Sequence, residues 1–105
     1  MCYAGRMTVK EIKAMFEDDE SDEFLAFARI PAEKRKNNRP DIHAFLLLDE
    51  LAPGTEDIVT CAEHDEIWLA VEIKQLTKAT PEQIVDLMRC GVRWDTSTDS
   101  LAMFV

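Results

Sequence analysis

Two histidines, three cysteines and a few clustered carboxylates are the groups with chemical reach in this 105-residue chain. Cys61 and His64 form a C-x-x-H spacing, which supplies half of a tetrahedral zinc site. The other strong ligands, His43 and Cys90, stand alone in the sequence. Structural zinc sites draw on close pairs, so no metal is expected. Cys61 reads instead as a small buried strand residue, and His64 as a loop residue. Asp95, Ser97 and Asp99 alternate like the first ligands of a calcium loop, but Ser100 stands where that loop needs glycine, so a hairpin turn is expected. Nucleophilic catalysis needs an activated thiol or hydroxyl beside a base. Cys90 falls at an expected helix C-terminus, where the helix dipole disfavours a thiolate. No G-x-S-x-G, phosphate-binding glycine loop or H-E-x-x-H is present. No catalytic residue, metal or cofactor is therefore assigned.

The carboxylates carry a different message. Asp and Glu number 21 against 12 Lys and Arg, a formal charge of −9. From Pro40 to Ile73 there is no lysine or arginine, and nine acids fall in that window. The remainder is neutral, so one window holds the whole net charge. Upstream, Glu17, Asp18, Asp19, Glu20, Asp22 and Glu23 form an acidic knot around Ser21. Arg29, Lys34, Arg35, Lys36 and Arg39 follow as a basic stretch. Charge runs are ordinarily solvated loops and helix ends. The sharper reading is a negative face that docks on a basic protein, carried by Asp49, Glu50, Glu56, Asp57, Glu63, Asp65 and Glu66. The net field opposes nucleic-acid phosphates and anionic membranes, and the basic stretch lacks interleaved aromatics, so neither is expected as a partner.

These groups need elements to hold them. Thr8 and Glu11 form a T-x-x-E capping box, with Met7 and Ile12 placed for a hydrophobic staple. Val9, Ile12, Met15 and Phe16 then recur at helical spacing. A second short helix is expected over Phe24–Ala28, capped by Asp19 or Ser21 and stopped by Pro31. Pro31–Arg39 reads as a connector with room for one helical turn. Pro40 suits the first position of a third helix running to Ala52, with Ile42, Phe45, Leu46, Leu48 and Leu51 as its core candidates. After Gly54 the period becomes two. Strands are expected at Ile58–Ala62 and Ile67–Lys74, joined at Glu63–Glu66. Thr80-Pro81-Glu82-Gln83 opens a further helix with Ile84, Leu87 and Met88 buried, and Gly91 stops it. Val92–Asp95 and Ser100–Val105 close the chain as a hairpin. The expectation is α+β: a helix-rich N-terminal half, then a ββαββ segment with a mainly antiparallel sheet. Residues 1–6 are read as a disordered leader or upstream start, and 7–105 as one domain. An odd cysteine count and no signal segment point to a reducing, cytoplasmic compartment.

The segments MTVKEIKAMFEDDESDEFLAF and LMRCGVRWDTSTDSLAMFV resemble small acidic proteins of tailed bacteriophages and prophages. The resemblance covers most of the chain, contains no functional motif and transfers no catalytic residue. It implies a phage accessory protein, and some small acidic phage proteins block host defence nucleases by imitating the charge of DNA. The His64-Asp65 pair is also similar to the dyad of metal phosphohydrolases. That family is all-helical and longer, and this pair falls in an expected hairpin, so the likeness is set aside. The leading expectation is a non-enzymatic binding protein with a basic protein partner. The alternatives are a self-associating assembly module, such as a homodimer through the sheet using Trp68, Trp94 or Phe104, and a metal-dependent enzyme built on His43, Cys61, His64 and Asp65.

Overall fold

Thr8 and Glu11 cap the first helix reciprocally. Glu11 N–H donates to Thr8 Oγ1 at 3.1 Å, and Thr8 N–H donates to Glu11 Oε1 at 2.9 Å. In the computed structural model, which describes residues 7–18, 20–55 and 57–104, this helix is α1 (Val9–Glu17). The leader expected at residues 1–6 lies outside the described residues. Ile12 and Phe16 are buried, and Met7 and Met15 pack partly against the same core. Val9 is exposed rather than part of that face.

The expected second helix does not form. Residues 20–25 are turns, and only Phe27–Arg29 makes a 3-10 turn. Leu25 has φ 65°, a left-handed conformation that interrupts a helix. Its N–H donates to Met88 O at 3.0 Å, so a tertiary bond takes the donor that a helix would use. The connector contains one 3-10 turn, Ala32–Lys34.

Helix α2 (Pro40–Leu51) begins at its proline. Its buried side chains are His43, Ala44, Leu47 and Leu48. Of the five expected core residues, only Leu48 is fully buried. Phe45 and Leu51 are partly buried, while Ile42 and Leu46 face solvent. The run from Ala44 to Leu48 is apolar on every side, so periodicity could not say which face turns inward.

Strands β1 (Val59–Glu63) and β2 (Glu66–Leu69) form the first hairpin, turning at His64-Asp65. β2 stops five residues earlier than its alternating pattern suggests. Glu72 and Gln75 cap a 3-10 turn at Ile73–Leu76 that buries Ile73 and Leu76, an E-x-x-Q box that the alternation concealed. Helix α3 (Pro81–Arg89) carries the expected Thr80–Gln83 box, with Ile84, Leu87 and Met88 buried. Gly91 ends it at φ 97°. β3 (Val92–Asp95) and β4 (Ser100–Phe104) complete a four-stranded sheet ordered β1-β2-β4-β3, with every neighbouring pair antiparallel.

The fold is α+β. α1 and α3 pack against β3 on one side of the sheet. The pleat sends Ile67, Leu69, Val92, Leu101 and Met103 into the core beneath them. The opposite pleat leaves Trp68, Arg93, Asp95 and Phe104 on the other face, uncovered among the described residues. Ala102 lies between them and is fully buried on the central strand β4. No helix among the described residues is long and apolar enough to cross a membrane.

Candidate functional site

The acidic window divides into paired and unpaired groups. Glu50 bonds Lys36 Nζ at 2.5 Å, and Glu66 is paired with Arg93. Both bases lie outside the window, so the basic-free stretch is partly neutralised from elsewhere in the chain. Asp49, Asp57 and Asp65 are exposed and have no ion-pair partner among the described residues. Glu63 is exposed and, among the described residues, meets only His64, at 3.8 Å. Glu56 lies outside the described residues. Asp49 and Glu50 close α2, Asp57 precedes β1, and Glu63, Asp65 and Glu66 surround the first hairpin turn.

The expected basic stretch is likewise absorbed internally. Lys34 pairs with Glu82, Lys36 with Glu50 and Arg39 with Asp41. Arg35 Nε donates to Ile30 O at 2.8 Å, and its guanidinium lies over the Phe27 ring. His43 fixes this connector to α2. Its Nδ1 accepts from Lys36 N–H at 3.0 Å, which places the ring proton on Nε2. Burial holds the imidazole pKa below its ordinary value. His43 packs edge-on to Phe27, with Nδ1 engaged by the connector backbone.

On the uncovered sheet face, residues from the flanking strands meet over the small side chains of β4. Trp68 Nε1 donates to Asp95 Oδ2 at 2.7 Å. Asp95 also accepts from Ser97 N–H, Ser97 Oγ and Thr98 Oγ1. These donors, the Trp68 indole first, hold the Asp95 carboxyl well below the usual carboxylate range. Arg93 reaches Glu66 while its guanidinium covers Phe104 at 4.7 Å. Sequence reading missed Arg93 as the neutraliser of Glu66. Its only signal is alternation within V-R-W-D, which sets it opposite Val92 and Trp94 on the sheet.

The three aromatics proposed for self-association do not share a face. Trp68 and Phe104 lie on the uncovered side, and Trp94 turns toward α1, with Lys13 Nζ 5.0 Å from its ring centroid. At the end of the sheet where β2 exits, an open hollow of about 810 Å³ runs between β1, the Thr98–Ser100 turn and the start of α1. Trp68, Val71, Trp94 and Val9 supply much of its wall, and Cys61 and Glu63 reach it from β1.

The cysteines separate by environment. Cys61 is exposed, contrary to its expected burial, because β1 is an outer strand with no layer over it among the described residues. Cys90 is buried, and burial pushes its thiol up to about 12, which disfavours the thiolate. No group of three or more potential metal ligands converges among the described residues, and His43, Cys61 and His64 occupy a helix core, a strand edge and a turn. No protein-family model matches the chain, and neither curated proteins nor solved structures give a significant match.

Proposed function

We propose that this chain is a small acidic binding protein, a phage or prophage accessory factor, that docks a negative surface on a basic host or phage protein. The observation that carries the reading is the set Asp49, Asp57, Glu63 and Asp65. All four are exposed, and none is paired with Lys or Arg among the described residues, although every basic residue of the neighbouring connector except Arg35 has an acidic partner. An unpaired charge excess raises the rate of encounter with an oppositely charged surface. Glu50 and Glu66 play a lesser part, since each already has a counterion.

The test is affinity capture from bacterial lysate at low and high salt, followed by stopped-flow association with the purified partner. Wild-type association should slow about tenfold or more between low and physiological ionic strength. The fourfold variant Asp49→Asn, Asp57→Asn, Glu63→Gln, Asp65→Asn should slow it comparably at low salt while leaving thermal unfolding nearly unchanged. A captured partner whose association ignores both salt and these four substitutions overturns the reading.

A further inference from the structure

We propose that the outer edge of β1 receives an extended basic segment of another protein, which adds to the sheet as a fifth strand. The inference rests on the acidic-docking reading and supplies its mode of contact.

The first observation is the edge itself. β1 has a strand neighbour on one side only, and all five of its residues are exposed. An outer strand presents backbone donors and acceptors on its free side, a ready template for another strand. The other outer strand, β3, is packed against α1 and α3. The two outer strands therefore differ in access: among the described residues every residue of β1 is exposed, whereas Val92 of β3 is buried and Arg93, Trp94 and Asp95 are half-buried.

The second observation is charge. Asp57 lies just before β1, Glu63 ends it and Asp65 follows in the turn, so both ends of the edge are negative. A second copy of this chain fits poorly. Antiparallel self-pairing centred on Cys61 brings Asp57 of one copy toward Asp65 of the other, at both ends, between molecules of charge −9. Like charges opposite one another destabilise a strand pair. The same acids attract a cationic strand, so the charge pattern rejects one occupant and favours the other.

The third observation is the hollow beside the edge. In strand addition the main chain supplies affinity, and pockets for alternate side chains supply specificity. Cys61 is small and stands opposite Trp68 in the β1–β2 register. A long side chain from an added strand can therefore pass over Cys61 into the space of about 810 Å³ bordered by Trp68 and Val71. Lysine and arginine suit it, because its lining carboxylates Glu63, Glu72 and Asp99 outnumber its lysines Lys13 and Lys74. Their aliphatic stems can lie on the apolar wall while the charged head reaches the Trp68 ring or the Glu63 carboxylate.

The probe is a peptide of about eight residues alternating lysine and valine, longer than the strand it must pair with. Its control has the same side chains with alternate amides N-methylated, which keeps the charge and removes one edge's donors. Binding is followed by amide shifts and hydrogen exchange of the full chain. The plain peptide should bind saturably, slow exchange at Thr60–Ala62 and shift the Trp68 indole. N-methylation should weaken binding about tenfold or more, through loss of two or more backbone hydrogen bonds. Equal binding of both peptides with the same salt dependence overturns strand addition and leaves the acidic-docking reading standing. No binding by the plain peptide overturns strand addition as well. A dimer of the chain alone whose interface protects Thr60–Ala62 and excludes the peptide assigns the edge to a second copy and overturns the proposal.

Discussion

The two hairpins of the sheet have strands of four or five residues and nearly opposite environments. In the second, β4 is central, with Leu101, Ala102 and Met103 fully buried, and β3 lies under α1 and α3. Its turn is fastened by Asp95, which accepts from Ser97 and Thr98 as well as from Trp68 across the sheet. In the first, β2 is internal but β1 is exposed throughout, and its acids face solvent. Hydrogen-bonded strand geometry is common to both. What separates them is the helical layer, which among the described residues packs on β3 and stops short of β1. Stability should reside in the second hairpin and availability in the first.

The largest expected effect is in the core of the second hairpin. Leu101→Ala should cost about 2–5 kcal/mol, the range for removing a fully buried leucine side chain. Val59→Ala on β1 should cost less than about 1 kcal/mol. Urea unfolding of both variants checks the contrast, and comparable losses would show that β1 is covered in solution.

Gly91 delivers the chain from α3 into β3. At φ 97° it occupies a backbone region that L side chains rarely adopt, and an added Cβ would stand 2.8 Å from Leu25 Cδ2. Gly91→Ala should cost about 1–2 kcal/mol, mostly through the backbone conformation. Leu25→Ala in the same background separates the two causes, because it relieves the contact and leaves the strain. Full rescue by that second change would assign the cost to the contact alone.

Acid should act on the two hairpins unequally. The Asp95 carboxyl is held below its ordinary value, so its contribution is present above the unfolded carboxylate range and is lost as pH falls through and below it. His43 adds a second window. Its folded pKa is depressed, so the unfolded state binds more protons just below about pH 6.5, and stability falls as pH drops from there. Asp95→Asn should flatten the lower limb, and His43→Gln the upper, in melting temperatures measured across pH. Neither change should alter the exposure of β1.

The smallest effect tests access directly. Iodoacetamide should alkylate Cys61 in the native protein with little change in melting temperature, while Cys90 reacts only on unfolding. Slow native labelling of Cys61 would place a cover over the β1 edge.

Local chemistry determined much of the frame. The capping boxes at Thr8–Glu11 and Thr80–Gln83, the proline that opens α2 and the glycine that ends α3 each act within a few residues, so their elements were readable before any packing was known. The antiparallel sheet followed from period-two alternation. Tertiary structure decided the rest, because each remaining feature depends on a distant partner. Leu25 gives its amide to Met88 and ends a helix that spacing alone would allow. The Ala44–Leu48 run of α2 is apolar on every side, so packing against α3 and the connector selects His43, Ala44, Leu47 and Leu48 for burial. Glu66 looks unpaired within its acidic window until β4 sets Arg93 within reach across the sheet. Cys61 carries a core-type side chain, yet the strand order places it on an uncovered edge. The sequence by itself determined where charge accumulates along the chain. Which of those charges remain unpaired is a property of the fold, since ion pairs and strand order form between residues that the sequence keeps far apart.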